Sequence, residues 1–135
     1  MSVRTSSAIV VLAIATSACA NTARAANGIE TVHVRIHYSS YEPGSFAFPP
    51  GTTVRFVVTN TDPIDHEFII GDRAVQQAHE LGTEAYHPPR PGEMTVPAQT
   101  TRTTTYTFGA VGTLIFGCHL PGHYAYGMHG AIRVG

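Results

Sequence analysis

The stretch Thr113-Leu114-Ile115-Phe116-Gly117-Cys118-His119-Leu120-Pro121-Gly122-His123-Tyr124-Ala125-Tyr126-Gly127-Met128 runs from an apolar segment into a loop with the spacing C-x4-H-x4-M. A thiolate, an imidazole and a thioether on one short loop are the donors a copper ion needs when it cycles between its two common oxidation states. One more imidazole from elsewhere completes a His2Cys trigonal set with a weak axial Met. His66, in Asp62-Pro63-Ile64-Asp65-His66-Glu67-Phe68, is the candidate, because it precedes the apolar run Phe68-Ile69-Ile70 and so sits at the mouth of a strand. The bland alternative for Cys118 is a small buried apolar residue. The histidine and methionine that follow at equal spacing favour the metal-ligand reading over it.

Working outward, the chain reads as short strands separated by Gly/Pro turns. Thr31 to Tyr38 alternates, with Val32, Val34, Ile36 and Tyr38 on one face and His33, Arg35 and His37 on the other, the pattern of a half-buried strand. His33 and His37 are ~13 Å apart at strand rise, too far to share an ion, and are expected in solvent. Tyr41-Glu42-Pro43-Gly44 and Pro49-Pro50-Gly51 read as turns around a short strand, Ser45 to Phe48. Thr53 to Asn60, the segment entered at His66, Thr103 to Phe108, Thr113 to Cys118 and Ala131 to Val134 supply the remaining strands. This rhythm predicts an all-β sandwich.

Gly71 to Ala98 breaks the rhythm. A segment of that length inside a small domain tends to be functional or mobile. Arg73 to Leu81 predicts a short helix, and Pro88, Pro89 and Pro91 forbid regular structure after it. His79, His87 and Met94 lie here, so the insertion is a surface flap with incidental polar residues, a lid over the metal, or a weak second metal site. His119, adjacent to Cys118, points away from the ligand face of a strand and is expected behind the ligands or at the surface; His129 is expected at the surface. Gly127 and Gly130 are expected to permit a tight turn around Met128. Asp62, Asp65, Glu67 and Asp72 cluster near His66 and read as a solvated acidic loop, with a docking face for basic partners as the alternative.

From Thr31 to Val134 the chain resembles the cupredoxins, the small blue-copper proteins, whose pattern is one upstream His and then Cys, His and Met on the loop before the last strand. His66, Cys118, His123 and Met128 match it one by one. The exported cupredoxins of bacterial copper tolerance are the most similar, sharing the His-Glu-Phe opening, an insertion with a His-Glu pair (here His79-Glu80) and a Pro-Gly-His-Tyr-x-x-Gly-Met ending. Glu67 departs from plastocyanin and azurin, which carry Asn there; which group braces the copper loop is left open. The resemblance implies a Greek-key β-sandwich over 27–135 with an insertion at 71–98. It implies one type 1 copper held by His66, Cys118, His123 and Met128, and no catalytic residues. It leaves two functions in view, a single-electron carrier or a copper-binding and delivery protein.

The bulk composition narrows the classes further. The 135 residues suffice for one domain. Residues 1–26 read as a signal peptide and tether: Arg4, then the apolar stretch Ala8 to Ala15, then Thr16-Ser17-Ala18-Cys19, too short a segment to span a membrane. Either Cys19 is a lipobox cysteine that becomes lipidated, or cleavage after Ala20 or Ala26 releases a soluble product. Both place the domain in a bacterial periplasm or cell envelope, with any membrane contact made through lipid on Cys19. Cys118 is the other of the two cysteines, so the exported domain closes no internal disulfide and builds no centre needing two thiolates. No His-x-His pair is present for a multicopper oxidase, and four matched ligands leave no open position for a substrate. All eight basic residues are arginines and form no basic stripe, so no nucleic acid partner is expected. The expected partners are redox proteins docking weakly on the apolar collar of His123, with the chain itself a monomer.

Overall fold

The computed structural model describes residues 28–82 and 89–135; the leader, Cys19 and His87 lie outside them. The strands in chain order are β1 (Glu30–His37), β2 (Ser40–Glu42), β3 (Ser45–Phe48), β4 (Thr53–Asn60) and β5 (His66–Gly71). After the helix α1 (Arg73–Glu80) come β6 (Glu93–Val96), β7 (Thr101–Thr107), β8 (Gly112–Gly117) and β9 (His129–Val134). They form two sheets, of order β2-β1-β4-β7 and β3-β9-β8-β5-β6. Neighbours are antiparallel except β1 with β4 and β3 with β9. The expected β-sandwich is therefore observed.

Period-two alternation builds each sheet's inner face. On β4, Val54, Phe56 and Val58 point into the core while Arg55 faces solvent. Phe48, Phe68, Phe108, Phe116 and Ile132 meet them from the other strands, and all are buried. Each such side chain, removed from water, contributes on the order of 1.5–3 kcal/mol. Several ring pairs meet edge-on, Phe56 with Phe108 at 82° among them.

Four local readings need correction. Tyr41, read as a turn residue, lies in β2 and is buried, its ring edge-on to Phe68 and Phe116. Tyr38, placed on the buried face of β1, lies beyond the end of that strand and is 83% exposed. The insertion contributes a strand: β6 pairs with β5, Phe68 opposite Met94, and Met94 and Val96 are core residues. A methionine and two valine-sized neighbours in a proline-rich stretch gave too short a pattern to see. Gly130 is not part of the Met128 turn. It lies in β9, where a Cβ would fall within 2.4 Å of the Gly44 carbonyl oxygen and closer still to the Phe116 ring. Gly127, at φ +97°, is the turn residue.

α1 forms where expected. Asp72 caps it by accepting the Val75 N–H, and the helix lies against β5 and β8. That cover explains why β5 is buried on both faces and does not alternate.

Candidate metal centre

Three chain segments converge at one end of the sandwich. β5 begins at His66, whose ring is fully buried. β8 ends beside Cys118, also fully buried. The loop from Leu120 to Gly127 returns as a series of turns: the N–H of His123 donates to the Leu120 carbonyl, that of Met128 to the His123 carbonyl, and that of Cys118 to the Met128 carbonyl. These bonds fold the C-x4-H-x4-M spacing into a closed loop, with Met128 1% exposed and His123 partly exposed.

The donor atoms of His66, Cys118 and His123 all lie within 4.8 Å of one another. His66 Nδ1 is 3.3 Å from His123 Nδ1, and Cys118 Sγ is 3.3 Å from His123 Nδ1 and 4.0 Å from His66 Nδ1. A first-row ion bonds nitrogen at about 2.0 Å and thiolate sulfur at about 2.3 Å, which puts donors around one ion about 3–4 Å apart. The observed spacings fall in that range. Among the described residues no other group of three His, Cys, Asp or Glu donors converges in this way. A thiolate and two imidazoles with a thioether on the same loop is the type 1 copper donor set, and the chain carries one such set.

Burial sets the protonation of two of the donors. Burial pushes the Cys118 thiol up to about 11, against the lowering effect of N–H groups from Leu120 and Glu67 aimed at the sulfur. The Glu67 N–H lies 3.3 Å from Sγ. Burial, and then the neighbouring His66 ring, hold His123 below the ordinary imidazole value, so its ring is neutral at neutral pH.

The bracing group left open by the sequence is Glu67. Its carboxylate accepts the His119 N–H at 3.1 Å, tying β5 to the residue after Cys118, while Tyr41 Oη donates to the Glu67 carbonyl. Glu67 therefore does not belong to a solvated acidic loop. Neither does Asp62, which is 5% exposed and lies 2.9 Å from His66 Nε2. His37, expected in solvent, is only 31% exposed at its side chain and contacts Thr61 Oγ1 at 3.0 Å. His119 takes the inner of its two expected positions. Its side chain is 2% exposed, with Nε2 2.7 Å from Gln76 Oε1 and Nδ1 2.9 Å from Glu80 Oε2. Gln76 spends its amide protons on the Ile69 and Ile115 carbonyls, so its oxygen faces His119. The insertion thus packs its helix on the residue next to Cys118. The helical His-Glu pair and the glutamine three residues before it carried no signal for this role, because a polar helix face is ordinarily a solvated one.

No family model matches the sequence. The chain is 33% identical over 97 residues to the copper-resistant cuproprotein CopI of Rubrivivax gelatinosus, covering 70% of this chain and 59% of that protein. A protein of the same name from Pseudomonas aeruginosa is 26% identical, covering 83% of this chain and 80% of the relative. The chain thus spans little more than half of the Rubrivivax protein's length. Among solved structures, auracyanin B superposes with a TM-score of 0.67 at 24% identity, over 78% of this chain and 88% of that one. A reduced auracyanin from Roseiflexus castenholzii gives 0.61 at 27% identity, over 80% and 99%. The chain has the cupredoxin fold. Rusticyanin from Thiobacillus ferrooxidans shares the same cupredoxin fold at a TM-score of 0.55 and 24% identity, over 80% of this chain and 79% of that one.

Proposed function

We propose that this cupredoxin-fold protein is an exported carrier of single electrons, working in a copper-tolerance or envelope redox setting. His66, Cys118, His123 and Met128 would hold the copper. Copper bound there would supply a one-electron couple. The observation that carries the reading is that the three donors stand at coordinating distances of one another, two of them fully buried and held by packing. Little has to move when charge changes, which suits repeated electron transfer. His123 is the ligand that reaches solvent, among Leu120, Pro121, Tyr124 and Tyr126, the last 93% exposed. A small apolar surface of this kind suits brief redox encounters. The leader at 1–26 supports export, with lipid on Cys19 as one form of anchoring.

A second reading, copper delivery or sequestration, draws on the relatives' name, copper-resistant cuproprotein. The two separate cleanly. Pro121→Asp and Tyr126→Asp, both at exposed positions, are expected to slow electron exchange with a partner while colour and copper retention stay nearly unchanged. Rapid copper hand-over to an acceptor, with electron exchange indifferent to these changes, would overturn the carrier reading in favour of delivery.

A further inference from the structure

The turn between β1 and β2 is built from unsuitable residues. Its central residues, Tyr38 and Ser39, have φ of 50° and 53°, and His37 pairs with Ser40 across it. Two successive left-handed residues at a hairpin tip call for Asn-Gly or a similar pair, since a Cβ is disfavoured in that region. Something outside the hairpin must hold it. That partner is the Asp62 carboxylate: Oδ1 accepts the Tyr38 N–H at 2.8 Å and Oδ2 accepts the Ser39 N–H at 2.8 Å. Asp62 is itself fixed, its own N–H donating to Asn60 Oδ1 at 2.9 Å, and Asn60 in turn donates to the carbonyls of Ile64 and Val96.

The same carboxylate faces His66. Oδ2 lies 2.9 Å from Nε2. Both carboxylate oxygens already accept backbone N–H groups, so the imidazole nitrogen facing them is the donor, and an imidazole that ligates a metal has only one proton to give. The proton therefore sits on Nε2, which leaves the lone pair on Nδ1, the atom directed at Cys118 and His123.

We propose that Asp62 is the positioning residue of this centre: anchored by the β1–β2 turn, it fixes the tautomer and orientation in which His66 offers Nδ1 to the metal. The turn's unfavourable backbone is then the consequence of presenting two N–H groups to a carboxylate shared with a ligand. The inference rests on the copper reading for its consequence, though not for its geometry.

The test uses nitrogen NMR of the His66 ring in the copper-free chain, together with Cu(I) affinity by competition with a chelator. In the unaltered chain Nε2 is expected to be protonated and Nδ1 bare. Asp62→Ala is expected to give a mixture of tautomers and an affinity about 10–100-fold lower, the usual effect of removing the partner of a ligating histidine. Adding Tyr38→Asn and Ser39→Gly to Asp62→Ala supplies a turn that needs no carboxylate. It is expected to restore the melting temperature without restoring the tautomer or the affinity, and it keeps the question open to measurement if Asp62→Ala alone unfolds. A ring protonated on Nδ1 in the unaltered chain would overturn the proposal. So would an Asp62→Ala ring unchanged in tautomer and affinity, or full recovery of both by the turn substitutions. Expected tautomers with no Cu(I) binding by the unaltered chain would sink the copper reading and its consequence here.

Discussion

The two histidines of the centre are held in opposite ways. His66 is fully buried, begins a strand, and has one ring nitrogen against Asp62. His123 is partly exposed, sits in a loop closed by backbone hydrogen bonds, and its ring meets only Cys118 and His66 in hydrogen-bonding contacts among the described residues. One side of the site is therefore set by side chains packed into the sandwich, and the other by the length and turns of a loop. A donor of the first kind is fixed by packing; a donor of the second kind reaches solvent.

The largest effect expected is that of Cys118→Ser, which lies between the two sides. It removes the thiolate on which an intense charge-transfer band depends, and near-complete loss of the visible absorption of the copper-loaded protein is expected. A surviving band would mean that the sulfur is not a ligand.

The histidine comparison breaks or holds on a rescue experiment. Both His66→Gly and His123→Gly are expected to lose the spectrum. Imidazole added to the solution is expected to restore it in His123→Gly, where the position reaches solvent, and not in His66→Gly. Equal rescue of both, followed by absorbance titration, would erase the distinction between buried and loop ligand.

Next in size is the support from the insertion. Gln76→Ala leaves the Ile69 and Ile115 carbonyls without their donor and releases His119, at an expected cost of about 1–3 kcal/mol in chemical denaturation. The spectrum is expected to persist, since no ligand is removed. Met128→Leu changes less: volume is conserved, so the stability cost is expected to stay below about 1.5 kcal/mol. The reduction potential is expected to rise with the loss of the weak thioether donor and to fall in Met128→Gln, as voltammetry would record.

The smallest signal is a proton. The Cys118 thiol, raised by burial to about 11, keeps its proton at neutral pH in the metal-free chain, and His123, held low, arrives without one. Copper uptake is expected to release about one proton per ion in calorimetry across buffers of different ionisation enthalpy. The sign is fixed by the same shift: a raised thiol makes the metal-free fold lose stability as pH climbs from the ordinary 9.0 through about 11.

What could be read without the fold were the properties carried by neighbouring residues. Softness and spacing on one loop pointed to Cys118, His123 and Met128 as metal donors, period-two alternation outlined most of β1, the run Thr53 to Asn60 outlined β4, and Arg73 to Leu81 outlined α1. The sequence by itself thus determined the class of fold and the kind of chemistry. Tertiary structure alone decided how polar residues are used. Asp62 and Glu67 look like solvated acids and are hydrogen-bonded parts of the site; His119 meets Gln76 across 43 residues of chain and His66 meets Cys118 across 52. Tyr41 and Met94 became core because β2 and β6 found sheet edges to pair with. The physical reason is common to all of them. Whether a carboxylate, an imidazole or a short apolar run is wet or buried depends on what packs over it, and that cover comes from segments far away along the chain.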